Sequence, residues 1–318
     1  MTPPQLMKLA TSCFALISIA GCSTAANNGF GGPPALSPTV QRAALGSNVG
    51  SNDLLYITNY GTSSVKVYDW PSLKPTGTLK GLTFEEGLCV DAKGNVFVPN
   101  TGADDIEEYA HAGSKPIATL ADLPNYYPNS CSVDPVSGDL AVMNLGYASG
   151  NLVIFHHATG QPKPYIISTI FSYYMCGYDD RGNLVIDGLN KDEAAAFAIL
   201  PRGSTRLQPL TLDRSPRSAG GVQWDGKHWA IGDGYATIYQ FDISGTNGTK
   251  VGQTTLTEGS STVFGFFIAG DRIIAPEHSG AHGTGRRTQI FRYPAGGAAI
   301  GSIRGLNLPF GAVISRGT

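Results

Sequence analysis

Apolar and polar positions along most of this chain come in short alternating runs, broken by Gly, Asn and Asp. Residues 87–109 carry the clearest copy: apolar runs at 88–90, 96–98 and 106–109 are separated by a Lys93-Gly94-Asn95 turn and a second turn over 101–105. β-forming runs split by such turns predict a strand-turn-strand meander. The phrase returns along the chain. Aligned on its first turn, the anchors Asp91, Asp134, Asp179 and Asp225 fall 43, 45 and 46 residues apart, and two worn copies put further anchors near Ala269 and Ser315.

An aliphatic-x-x-aromatic pair marks the third strand of the unit. It appears as Val65 with Tyr68, Ile106 with Tyr109, Leu152 with Phe155, Ile238 with Phe241 and Ile290 with Tyr293, and in altered form as Phe197 with Leu200. A fourth strand is expected after each, at residues 76–79, 116–120, 165–168, 207–212, 252–256 and 299–303. A period in the mid-forties with about four strands per unit is the mark of propeller blades. The expected fold is therefore all-β: a six-bladed β-propeller of four-stranded blades over residues 53–318. Its folded part begins on a second strand (54–58) and ends on a first strand (310–315). The C-terminal strand thus joins blade one and closes the ring, which removes open sheet edges. Residues 192–200 conflict locally, being rich in helix formers, but the register makes them a third strand.

Composition agrees. Charged residues are 14% of the chain and Gly makes up 41 of 318 positions, against usual values of ~25% and ~7%. With a net charge of −2 and no basic stripe, the chain lacks the electrostatic footprint of a nucleic-acid binder. Residues 1–21 read as a signal peptide, because the apolar core after Lys8 is too short to span a bilayer. That segment ends in Ile19-Ala20-Gly21-Cys22, which resembles the bacterial lipobox. The resemblance implies a lipidated, acylated Cys22 as mature N-terminus and an exported protein anchored to a bacterial membrane. Ser23 after Cys22 resembles outer-membrane sorting. Residues 22–52, rich in Asn, Gly and Pro, read as a disordered tether. The remaining cysteines, Cys89, Cys131 and Cys176, are odd in number and read as small buried hydrophobes rather than a disulfide framework. One bridge between neighbouring repeats is the alternative.

The phrase Gly94-Asn-Val-Phe-Val-Pro-Asn-Thr-Gly-Ala-Asp-Asp-Ile106 resembles the NHL repeat, and residues 54–65 look like a YVTN-type blade. The wider group includes the gluconolactonase (senescence-marker-protein) family of six-bladed, metal-dependent hydrolases. That resemblance spans residues 54–318 at the level of blade pattern and implies one divalent cation, such as Ca²⁺, held at the mouth of the innermost strands. Glu86-Gly87 and Pro128-Asn129 match two of the family's ligand phrases, whereas the other two positions hold Tyr174 and Gly220.

Register gives two sets of candidate residues on one face. Five residues before each anchor lie Glu86, Asn129, Tyr174, Gly220, Phe264 and Phe310, at the channel mouth. Strand two ends on Asn59, Asn100, Asn144, Gly188, Asp233 and Glu277, which would cap turns or present a ring of acceptors to a ligand. Tyr126-Tyr127 and Tyr173-Tyr174 would either stack on a sugar or aromatic ligand or pack between blades. Residues 277–287 read as a flexible surface loop carrying His278 and His282, with Arg286 and Arg287 facing an anion. No nucleophile elbow, phosphate loop or Cys-x-x-Cys pair is present. Two functions follow: a membrane-anchored extracytoplasmic module binding a small molecule or protein, or a metal-dependent lactonase-like hydrolase using Glu86, Asn129 and Asp233.

Overall fold

The computed structural model describes residues 40–42, 52–146, 150–257, 262–278 and 286–317. The expected signal segment, Cys22 and His282 lie outside the described residues, as does most of the expected tether. The described residues are β-strands and two short 3₁₀ turns, and no helix among them is long and apolar enough to cross a membrane. The exception within the expected tether is β1 (Val40–Arg42), which pairs antiparallel with the outer strand β24 and occupies its open edge.

The strands form successive antiparallel meanders. The first contains β2 (Leu54–Asn59), β3 (Ser64–Asp69) and β4 (Pro75–Lys80). The second runs β5 (Cys89–Val90), β6 (Val96–Asn100), β7 (Asp105–Tyr109) and β8 (Pro116–Ala121). The third runs β9 (Pro128–Val133), β10 (Leu140–Asn144), β11 (Asn151–Phe155) and β12 (Lys163–Tyr165). Then come β13 (Ser172–Tyr178), β14 (Leu184–Leu189), β15 (Ala195–Leu200) and β16 (Gln208–Leu212), followed by β17 (Val222–Trp224), β18 (Trp229–Gly232), β19 (Thr237–Ser244) and β20 (Asn247–Thr255). The last meander is β21 (Phe267–Ala269), β22 (Arg272–Glu277), β23 (Arg287–Arg292) and β24 (Gly296–Arg304), and β25 (Pro309–Ser315) ends the chain. The stretch rich in helix formers is strand β15, paired on both sides. The fourth strand expected at 165–168 lies earlier, at Lys163–Tyr165.

Hydrogen bonding groups these strands into five sheets rather than six separate ones. Three have four strands, one has five because β1 joins it, and one has eight. In the last, β16 and β20 pair in parallel through Thr211–Asn247 and Leu212–Gly248, which fuses two meanders at their outer edges. The cause is the long β19–β20 hairpin, whose tip reaches the neighbouring edge strand. The innermost strand of the first sheet is β25, paired with β2 from Leu54–Ser315 to Asn59–Pro309, so the two ends of the chain share one sheet. The arrangement is propeller-like, all-β and built on four-stranded units.

The repeat's anchor residues hold its turns. The Asp91 Oδ1 accepts the N–H groups of Lys93 (2.9 Å) and Asn95 (2.8 Å), and Asp179 does the same for Arg181 (2.9 Å) and Asn183 (2.7 Å). Asp134 accepts from Val136 N–H and Asp225 from Lys227 and His228 N–H. A short acceptor that bonds the backbone two residues on is the reason Asp recurs there. At the last anchor position Ser315 instead bonds across to the second meander, donating to the Gly94 carbonyl (2.5 Å) and contacting His111 Nδ1 (2.7 Å). The aliphatic-x-x-aromatic pairs are core: Val65, Tyr68, Ile106, Tyr109, Leu152 and Phe155 are all buried.

The cysteine expectation needs correction. Cys89 and Cys131 form a disulfide with Cα atoms 5.5 Å apart, and Cys176 is a buried free thiol. The inner strands line one cavity, so β5 and β9 bring Cys89 and Cys131 within bridging distance despite 42 residues of separation.

Candidate functional site at the channel mouth

The inner strands β5, β9, β13, β17, β21 and β25 surround one cavity of about 320 Å³, lined mainly by apolar groups such as Leu88, Val133, Met175, Val222, Phe266 and Val313. Its lining extends to Pro135, Asp179 and Asp180 at one end, while Glu86 and Asn129 lie buried just beyond the lining at the other end, where these strands begin. There the ladders slip. Asn144 pairs with Pro128 while Met143 pairs with Ser130, which leaves Asn129 as the bulged residue. Tyr174 and Met175 are skipped between Tyr173–Gly188 and Cys176–Ile186, and Phe310 and Gly311 between Asn59–Pro309 and Ile57–Ala312. Three of the register positions read as mouth residues (Asn129, Tyr174, Phe310) are thus bulges, which re-aim a side chain out of the ladder.

Two buried side chains brace these bulges. The Thr58 hydroxyl accepts Gly311 N–H (2.7 Å) and donates to the Glu86 carbonyl (2.6 Å). The Asp187 carboxylate accepts Met175 N–H and Gly220 N–H, each at 2.8 Å. Each links one bulge to the next inner strand. The backbones meet closely as well: Gly87 N–H donates to the Asn129 carbonyl (2.7 Å), and a Cβ on Gly87 would lie 2.8 Å from that oxygen. A Cβ on Gly311 would lie 2.8 Å from the Glu86 carbonyl, so only glycine fits either place.

Glu86 and Asn129 are therefore neighbours at the end where the inner strands begin. Asn129 is fully buried; its amide reaches the Tyr173 carbonyl at 3.5 Å, and its Oδ1 has no hydrogen-bond partner. Glu86 is 3% exposed, and its carboxyl makes no hydrogen bond among the described residues. Burial, reinforced by the adjacent Glu85 charge, pushes its pKa up to about 8. Glu85 Oε1 accepts Ser64 N–H (2.6 Å) and Asn59 N–H (3.4 Å), while its Oε2 is buried without a partner. Desolvation raises the Glu85 pKa against the lowering effect of those N–H groups.

The adjoining wall is aromatic. His278 is 1% exposed, with its ring 5.2 Å from Phe310, 5.6 Å from Phe264 and 5.9 Å from Tyr60. Neither ring nitrogen makes a well-formed hydrogen bond. Burial lowers its pKa to about 4, against the opposing pull of the Leu308 and Pro309 carbonyls. His278 is thus a neutral core residue at pH 7, not part of a surface loop.

The rim residues act as turn caps. Asn59 Oδ1 accepts Asn307 N–H (2.6 Å), and Asn100 Oδ1 accepts Thr83 N–H (2.6 Å) while its amide donates to Asp105 (3.0 Å). Asp233 Oδ1 accepts from Tyr235 and Thr237, and the Asn144 amide donates to Asn151 (3.0 Å). Glu277 is bound by Arg287 Nε at 2.8 Å, so this arginine does not face an external anion. Tyr173 is core, its hydroxyl held at the Ile167 backbone. Tyr174 packs at the edge of the cluster around Val222 and Phe310.

The sequence reading missed Asp187, Glu85 and Thr58. Asp187 offered a signal: a carboxylate inside the apolar run Leu184-Val-Ile-Asp-Gly-Leu189, one residue before the rim position.

The divalent-cation site implied by the family resemblance does not fit. Two of its four positions hold Tyr174 and Gly220, and the nearby Asp187 carboxylate is committed to two backbone N–H groups. A hard cation needs six to eight oxygens. Among the described residues, the one group of three potential ligands within reach of an ion is elsewhere, at Asp139, His156 and His157.

No protein-family model matches this chain, and no curated protein matches it. Solved structures do. The nidogen/laminin complex contains a chain similar to it with a TM-score of 0.63 at 12% identity, covering 83% of this chain and 98% of that one. A functionally unknown protein from Desulfotomaculum acetoxidans gives 0.57 at 11% identity (85% and 88% covered), and Kuenenia stuttgartiensis hydrazine synthase gives 0.51 at 13% (74% and 72%). At such identities the likeness is one of fold alone, and the fold it supports is the β-propeller-like arrangement.

Proposed function

We propose that this protein is a six-bladed propeller, lipid-anchored through Cys22 outside the cytoplasm, that binds a neutral, polyhydroxylated small molecule at its channel mouth. The six-blade count rests on the six inner strands around one cavity and on reading the eight-stranded sheet as two fused blades. The anchor rests on the lipobox-like Ile19–Cys22 phrase.

One observation carries the binding reading: Asn129 Oδ1 and Glu85 Oε2 are buried acceptors without partners beside an unbonded Glu86 carboxyl. Native proteins seldom leave such groups unsatisfied, and a ligand's hydroxyl groups would satisfy them once the buried end opens to admit it. At pH 7 a Glu86 pKa of about 8 leaves roughly ten protonated carboxyls for each ionised one, so Glu86 donates as well as accepts. The aromatic rings of Tyr60, Phe264 and Phe310 offer apolar faces to a sugar ring. Titration calorimetry with a panel of neutral sugars and sugar lactones should show saturable heat that Asn129→Ala removes. Absence of binding across the panel, or equal binding by Asn129→Ala, contradicts the reading.

A second reading is a lactonase-like hydrolase, favoured by the match of Glu86-Gly87 and Pro128-Asn129 and by a carboxyl poised as a general acid. Hydrolysis of a lactone that is lost in Glu86→Gln would establish it. A third, protein binding, is prompted by the nidogen/laminin complex, where the similar chain is part of a protein–protein assembly.

A further inference from the structure

We propose a second site, at the opposite end of the third sheet, that binds a divalent transition-metal ion through Asp139, His156 and His157. In a meander the β9–β10 and β11–β12 turns lie together at the end away from the channel mouth. Asp139 closes the first of these turns, and His156-His157 opens the second.

One ligand atom from each of the three residues lies within 4.8 Å of the other two. His156 Nδ1 is 2.9 Å from Asp139 Oδ1 and His157 Nδ1 is 3.9 Å from the same oxygen. Consecutive side chains of an extended strand point to opposite faces. Here they do not, because His157 adopts φ 48°, ψ 36° and Ala158 φ 50°, in the left-handed region that non-glycine residues rarely enter. The turn reverses, and the two imidazole rings come together with centroids 3.9 Å apart. Apolar burial does not explain this conformation, since the side chains of His156 and His157 are 76% and 62% exposed. The Asp139 carboxylate holds the turn by accepting His157 N–H (2.9 Å), and His157 Nδ1 lies 2.6 Å from the Ser137 carbonyl.

Two imidazoles and one carboxylate form a donor set for Zn²⁺, Ni²⁺, Co²⁺ or Cu²⁺, not for Ca²⁺ or Mg²⁺. Three protein ligands leave the remaining coordination positions to water. An ion would replace the His156–Asp139 hydrogen bond, draw the His157 ring from the Ser137 carbonyl, and clamp the two turns together.

The test is calorimetric titration of the untagged full-length protein with ZnCl₂, supported by Cu²⁺ EPR. The expected result is one saturable site, two-nitrogen hyperfine coupling, binding weakened roughly tenfold or more by Asp139→Asn, and loss of binding in the His156→Ala/His157→Ala double variant. His228→Ala, which alters a separate exposed histidine–carboxylate pair, should bind as wild type. Melting curves confirm that the variants fold. No saturable heat with the wild type, or unchanged Zn²⁺ and Cu²⁺ binding by the folded double variant, overturns the assignment.

Discussion

The Glu86 carboxyl should make the protein less stable as pH rises, and Glu86→Gln should remove that part of the dependence. Folding moves this group from its ordinary pKa of 4.5 to about 8. The raised value means that the folded state holds the proton more tightly than the unfolded chain. Its favourable contribution is complete below pH 4.5 and is lost as pH climbs through 8. At 1.36 kcal/mol per pKa unit the whole span corresponds to roughly 5 kcal/mol, and about 4 kcal/mol of that falls between pH 5 and pH 9. Buried Asp187, raised to about 8, and Asp122 and Glu277, raised to about 7, act in the same direction. The wild-type curve therefore falls by more than Glu86 alone accounts for, and the comparison with Glu86→Gln isolates this residue. Gln has nearly the shape of a protonated Glu, so the variant should match wild type near pH 5 and exceed it by about 4 kcal/mol at pH 9. Urea denaturation at both pH values reads this directly. At roughly 2 °C per kcal/mol for a domain of this size, the melting point should differ by about 8 °C at pH 9. Parallel pH–stability curves would refute the placement of Glu86 as a buried, unpaired carboxyl.

Three further outcomes follow from the same structure. Replacing Cys89 and Cys131 by Ser should cost about 4 kcal/mol by the loop-entropy relation for a loop of 42 residues, measured by denaturation with Cys176 unchanged. Asp187→Ala strands two buried N–H groups, those of Met175 and Gly220; at about 1–3 kcal/mol each, the melting point should drop by several degrees, and Asp187→Asn should recover part of the loss. Deleting residues 309–318 removes β25 and opens the β2 edge, so the truncated chain should aggregate and lose its cooperative melt; a soluble product with wild-type melting would contradict ring closure through the C-terminal strand.

The fold was legible because its repeated signals are local. Asp91, Asp134, Asp179 and Asp225 each bond backbone within four residues, and a turn residue that acts locally leaves its mark at a fixed spacing. The mouth positions Glu86, Asn129 and Phe310 followed from that same register. What escaped depends on contacts between blades. The Cys89–Cys131 bridge joins strands 42 residues apart, and an odd cysteine count hid it, although both cysteines sit two or three residues before their anchors. Asp187 was obscured because the bulge at Tyr174 and Met175 shifts the inner strand by one residue, so the side chain facing the gap is the neighbour of the rim position. The fusion of two meanders through Thr211 and Leu212 depends on how far the β19–β20 hairpin extends, which the repeat pattern does not encode.

A high-resolution crystal structure of the full-length protein grown with a neutral sugar that shows calorimetric heat tests the central claim most directly. The account predicts the sugar at the channel mouth, with hydroxyl groups within hydrogen-bonding distance of Asn129 Oδ1 and the Glu86 carboxyl and an apolar face against Phe264 or Phe310. A mouth in which Asn129 and Glu86 pair with the protein's own groups, with the sugar absent or bound elsewhere, would contradict it.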